Sequence, residues 1–145
     1  MEFLSKFEYA LLALIELAVS YPSGEPLQIQ QIAELQTLPK RYLEQVMAAL
    51  KCGGLIRSIR GRQGGYLLTR EPSKITLLEA LICLEDLNPT QSANNTRLLT
   101  PDSEVIQEVW QEVGQAANAV LLKYTLQDLC ERRTITQPPG LMYYI

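Results

Sequence analysis

The chain has 145 residues, 47 % of them hydrophobic, which suits one domain, or one small domain with an attached oligomerisation element, and excludes a disordered tail. Its net charge is −3 and it contains no histidine, which removes Ser–His–Asp and Cys–His catalysis, His-ligated zinc and the usual neutral-pH proton shuttle. Three scattered cysteines without a CxxC pair, no basic leader with a cleavage site, and no apolar run of the ~18 residues a membrane span needs together predict a cytoplasmic protein that does not enter membranes.

Residues 4–20 predict a helix with Ser5 as N-cap and Glu8 at capping-box spacing. Leu4, Phe7, Leu11, Leu14, Ile15 and Ala18 cover more than one side of it, which implies burial on two faces, one of them available to a partner chain. After the loop YPSGEP come two short helices. In LQIQQIAELQ, Ile29, Ile32, Ala33 and Leu35 are expected inward. PKRYLEQVMAALKCGG opens with Pro39 in a first-turn position, places Leu43, Val46, Met47 and Leu50 on one face, and ends on Gly53–Gly54. Two helices of these lengths with a short link have the proportions of a helix-turn-helix.

LIRSI and GYLLT flank RGRQG and predict a tight hairpin. ITLLEALICLED predicts a further helix with Thr76 as N-cap and Glu79 completing a capping box. A polar loop follows over 88–102. Residues 103–124 predict a long helix with Ser103 as N-cap, roughly 33 Å long at ~1.5 Å per residue. On it Ile106, Trp110, Val113, Ala117, Val120 and Tyr124 alternate by fours and threes, the seam of a pairing helix. TLQDLCERR adds a short helix before the tail. The expected fold is mainly α with a small β-hairpin wing. A winged helix-turn-helix domain spans 1–87, the loop 88–102, and a dimerisation helix with its C-terminal segment 103–145.

Charge is unevenly distributed. Between Lys40 and Lys74 eight basic residues face two acidic ones, a net of +6, whereas residues 76–145 carry −5. A basic middle of this kind focuses a polyanion onto one part of an otherwise acidic chain. At the start of the second short helix, Lys40 or Arg41 can hold phosphate or guanine, Glu44 can accept from cytosine N4, and Gln45 can pair with adenine. Each also has a plain reading as a solvated surface residue, and Tyr42 reads either as a contact or as a core residue. In the hairpin tip, Arg60, Arg62 and Gln63 can reach phosphates or a narrow minor groove, while Gly61, Gly64 and Gly65 would allow positive φ and a close approach.

The strings SKFEYALLALIELA, PKRYLEQVMAALKCGGLIRSIRGRQGGYLLTR and ITLLEALICLED, with TLQDL late in the chain, resemble the IscR/NsrR/CymR family of bacterial winged-helix regulators, the Rrf-two type. The resemblance implies a homodimer on a partly palindromic double-stranded DNA operator, paired through the long C-terminal helix. It places Lys6 and Tyr9 near the DNA backbone, with Lys6 either a phosphate contact or a plainly solvated residue and Tyr9 more a packing residue than a contact. Sensing members of that family ligate an iron–sulfur cluster with three cysteines before and at the start of the long helix. Here residues 87–110 contain neither cysteine nor histidine, with Glu104 and Gln107 near the expected position. No cluster of the family's usual type is therefore expected, no metal site is assigned, and the effector is open. Cys83 reads as a buried small hydrophobe, Cys130 as buried or exposed, and Cys52, next to Lys51, as a redox candidate. The alternative function is a winged-helix protein-interaction module that does not bind DNA. An enzyme is not expected, since no nucleophile–base pair or phosphate-binding glycine motif is present.

Overall fold

The computed structural model describes residues 2–85 and 100–136. In chain order these form α1 (Glu2–Ser20), a 3₁₀ turn (Tyr21–Ser23), α2 (Ile29–Gln36), α3 (Lys40–Cys52), β1 (Ile56–Ile59), β2 (Gly65–Leu68), a second 3₁₀ turn (Pro72–Lys74), α4 (Leu77–Leu84), α5 (Pro101–Lys123) and α6 (Leu126–Thr136). The polar loop expected from residue 88 and the tail after residue 136 lie outside the described residues.

Helix α1 is the centre of the fold. Ala10, Ala13, Leu14, Leu17 and Ala18 are buried, and the helix packs against α2, α3, α4 and α6. Its alanines let neighbouring helices approach closely, while Leu14 and Leu17 fill the space between them. The two-sided burial expected of it is thus met by the chain's own elements. The helix starts at Glu2, so Ser5 lies within it and is not its N-cap.

The link between α2 and α3 is set by backbone geometry. Thr37 ends α2 in a left-handed conformation, φ 54°, and Leu38 donates its N–H to the Ala33 carbonyl at 2.9 Å. Pro39 then stands as the N-cap of α3, one position before the helix proper. Helix α3 buries Leu43, Val46, Met47 and Leu50. On α2, Ile32 is buried, but Leu35 is 60 % exposed. At 100° per residue Leu35 falls about 120° from Ile29, off the face that Ile29, Ile32 and Ala33 share.

Strands β1 and β2 pair antiparallel in the register Ile56↔Leu68 to Ile59↔Gly65. The hairpin is tied to the start of α2 by a reciprocal backbone pair, Leu27 N–H to the Tyr66 carbonyl (3.1 Å) and Tyr66 N–H to the Leu27 carbonyl (2.7 Å). Helix α4 has the expected cap: Thr76 Oγ1 accepts from the Glu79 N–H (3.3 Å) and Glu79 Oε2 from the Thr76 N–H (3.2 Å). Arg70 grips the same Glu79 carboxylate with two bonds of 3.2 Å.

Helix α5 begins at Pro101, with Thr100 and not Ser103 as N-cap; Ser103 instead closes the capping box from the third helical position. Proline supplies the preset φ of a first helical residue. The far end of α5 is pinned by backbone bonds, Leu77 N–H to the Tyr124 carbonyl and Leu126 N–H to the Ile75 carbonyl, each 3.0 Å. Helix α6 then turns back onto α1, and Leu126 is fully buried in the core. Its Arg133 reaches Glu16 at 3.4 Å. Glu16 is only 6 % exposed and also accepts from Gln36 Nε2 at 2.6 Å. A buried carboxylate with two donors avoids the penalty an unpaired one would carry.

Candidate nucleic-acid interface

Helix α3 divides by chemistry. Lys40, Arg41, Glu44, Gln45 and Ala48 are exposed and fall within an arc of about 140°, opposite the arc of Leu43, Val46, Met47 and Leu50. Apolar burial on one side therefore forces the polar side chains outward, beginning at the helix N-terminus. No side chain caps that end, so the first-turn N–H groups and the positive end of the helix dipole add to the two cations there. Tyr42 lies at the edge of the arc, 41 % exposed, with its ring centroid 6.4 Å from that of Tyr9 on α1. The two tyrosines hold the α1 and α3 beginnings together. Lys6, one turn before Tyr9, is half-buried.

The hairpin presents Arg60, Gly61, Arg62 and Gln63 exposed at its tip. The glycines serve different ends. Gly61 adopts φ +116° with open space around it, the turn conformation expected. Gly64 is buried and does not have positive φ; it is glycine because a Cβ would collide with the Ile59 carbonyl oxygen. Gly65 has φ +153°, and a Cβ there would lie 2.5 Å from the Leu27 carbonyl oxygen. Gly64 and Gly65 thus fit the hairpin closely against the protein itself, and Gly65 has the positive φ expected of it. A residue that sequence reasoning missed, Gln28, donates from Nε2 to the Arg62 carbonyl at 3.5 Å, tying wing tip to α2; its separation of 34 positions left no local signal. The wing arginines and the α3 cations consequently sit on elements that pack together, β1 against α3 and the hairpin against the start of α2.

The long helix offers a second surface. Among the described residues α5 buries none. Val105, Ile106, Val109, Trp110, Val113 and Val120 are large apolar residues exposed by about half or more, Trp110 by 66 %. With Ala116 and Ala117 they occupy an arc of about 140°. Ile106, Trp110, Val113, Ala117 and Val120 of the expected seam lie together on it. Tyr124 does not: it ends the helix, half-buried, with the Arg132 guanidinium 4.7 Å over its ring.

Residues 3–132 match the family Rrf2, described as iron-dependent transcriptional regulator. The chain belongs to the Rrf2 family. It is 34 % identical to the HTH-type transcriptional regulator CymR of Bacillus subtilis, over the whole of both chains. It is 27 % identical to the regulator IscR of Photorhabdus laumondii, over 97 % of this chain and 85 % of that one. Among solved structures, T. potens IscR aligns with a TM-score of 0.73 and 33 % identity, covering 96 % of this chain and 93 % of the other. The fold is thus the winged-helix Rrf2 fold with a long C-terminal helix, and the chain is an HTH-type transcriptional regulator, not an enzyme. No helix among the described residues is long and apolar enough to cross a membrane.

An iron–sulfur cluster held by cysteines at the start of the long helix does not suit the donors present there. The chain has no histidine and no cysteine between Cys83 and Cys130. Among the described residues no three His, Cys, Asp or Glu side chains converge as a metal site. Iron–sulfur clusters are held by thiolates, for which Glu104 and Gln107 are poor substitutes.

Proposed function

We propose that this Rrf2 regulator acts in the cytoplasm as a homodimer that reads a partly palindromic operator in double-stranded DNA. Each α3 enters a major groove and each hairpin an adjacent minor groove. The reading is supported by one observation: the exposed arc of α3 and the hairpin tip present side chains suited to base reading and phosphate holding on elements that pack together. Arg41 and Lys40 serve phosphate or guanine, Gln45 adenine, Glu44 cytosine, with Tyr42 and Pro39 shaping the helix start. Arg60, Arg62 and Gln63 track the flanking minor groove, and Lys6 adds a backbone contact. The apolar arc of α5 pairs two copies, and the two heads then face successive major grooves about one helical turn apart.

Fluorescence anisotropy on a site selected from genomic fragments tests this. Affinity is expected to fall steeply with salt, and Arg60→Ala or Arg62→Ala each to lower the slope of log K against log salt by about 1. Gln45→Ala is expected to relax the preference at one base pair in each half-site, at about 1–3 kcal/mol. A folded dimer with no preference among fragments and a flat salt response would favour the protein-interaction reading.

A further inference from the structure

The exposed arc of α3 changes character along its length. Its first two turns carry Lys40, Arg41, Glu44 and Gln45, whereas the third carries Ala48 and the helix ends on Cys52. At 100° per residue Ala48 falls about 60° from Gln45 and Cys52 about 20°, so all three belong to one stripe. The same three residues line an open cavity of about 700 Å³, whose other walls include Leu55 and Ile82 and the Arg70–Glu79 pair. Ala48 is exposed, and no bulky side chain on the stripe stands between it and solvent.

This part of the face differs from the rest in charge. Arg70 is matched by Glu79, whose carboxylate it grips with two bonds of 3.2 Å. Leu55 is buried and Ile82 is 54 % exposed, so the walls are apolar where they are open. The sulfur of Cys83 lies against Gly53, where an added Cβ would run into it. Burial, helped by Glu79 and opposed by Arg70, pushes that thiol up from its ordinary value, so it stays uncharged at neutral pH. A neutral recess offers phosphates nothing; they are drawn to Lys40, Arg41, Arg60 and Arg62 instead. On the major-groove edge of DNA the one apolar group is the C5 methyl of thymine. Spacing agrees: three residues advance a helix by about 4.5 Å, against the ~3.4 Å between successive base pairs.

We propose that Ala48, with the recess beside it, is a subsite for the C5 methyl of a thymine at the base pair next to the one Gln45 reads. The subsite rests on the DNA reading proposed above and adds to it the identity of a further base in each half-site. Alanine serves twice there. Its short side chain lets the base edge come close to the helix, and its Cβ supplies the apolar surface that the methyl covers. Cytosine and uracil lack the methyl and leave that contact unmade. Discrimination at this position is therefore by shape and burial, where Gln45 and Glu44 act by hydrogen bonding.

The experiment uses the full-length protein and the fragment selected from genomic DNA, with each thymine of the half-sites replaced in turn by uracil. That exchange removes the C5 methyl and keeps the base pair. Expected is one position, next to the pair at which Gln45→Ala relaxes the preference, where uracil weakens binding about three- to fivefold per half-site. Ala48→Gly is expected to bind the thymine and uracil versions of that position alike. The comparison is made within each protein, so any loss of helix stability in the variant cancels. A response to uracil that is the same at every thymine, or no response at all, overturns the subsite. So does a penalty that Ala48→Gly leaves undiminished, since another residue then reads the methyl. In each of these cases sequence-specific binding, and with it the DNA reading, still stands. Failure to select any preferred fragment overturns the DNA reading itself and the subsite with it.

Discussion

Helices α1 and α5 are the two longest among the described residues, 19 and 23 residues, and both are rich in apolar side chains. They meet opposite fates. Helix α1 buries Ala10, Ala13, Leu14, Leu17 and Ala18 among four neighbouring helices, while α5 leaves Val105, Ile106, Val109, Trp110, Val113 and Val120 exposed. The difference teaches that apolar periodicity alone does not say where a helix finds its cover. One face is closed by this chain; the other is left exposed, and under the proposed function a second copy covers it.

The sharpest way to break the comparison is to charge the α5 face. Trp110→Glu with Val113→Glu is expected to leave a folded monomer by sedimentation while reducing operator affinity by 100-fold or more, on the order of 3 kcal/mol. An unchanged dimer would place pairing elsewhere. On α1, Leu14→Ala removes a fully buried side chain and should cost about 2–5 kcal/mol in urea unfolding, independent of protein concentration. Capping gives a smaller contrast. Thr76→Ala, at the start of the packed α4, should cost about 1 kcal/mol. Thr100→Ala should cost a similar amount, expressed as fraying of α5 in hydrogen exchange. Smallest is Val113→Ala: at concentrations too low for pairing it should lie within about 0.5 kcal/mol of the parent, and its effect should grow as protein concentration rises. A constant loss at all concentrations would show α5 covered by its own chain.

Much of this was readable in the residues. Thr76 and Glu79 announced α4, and Leu43, Val46, Met47 and Leu50 gave the inward face of α3 because four positions at helical spacing leave one solution. Short elements were less legible. Leu35 belongs to a two-turn helix, where a single apolar residue off the shared face cannot be told from one on it. Ser5 and Ser103 looked like caps because cap chemistry is local and each stands near a helix start; Glu2 and Thr100 lie close enough upstream to extend those helices. At the candidate interface the cations on α3 and at the hairpin tip were visible as charge. The reasons for Gly64 and Gly65 were not, because they depend on the Ile59 and Leu27 carbonyls brought in by folding. The Glu16–Gln36–Arg133 cluster joins residues from separate elements, and no local spacing encodes it.

The fastening of α5 to the start of α4 has a consequence for how such a protein tolerates change. The joint consists of two main-chain hydrogen bonds, given by the N–H groups of Leu77 and Leu126, and main-chain groups are the same whatever side chain they carry. Substitutions other than proline at either position leave the joint's donors intact. The side chains at both positions are nonetheless buried, Leu126 fully and Leu77 to within 7 %, so core packing helps set the angle at which the long helix leaves the winged domain. On the proposed reading, the joint uses no side chain of the exposed α3 and α5 arcs, so substitutions on either arc leave its donors in place.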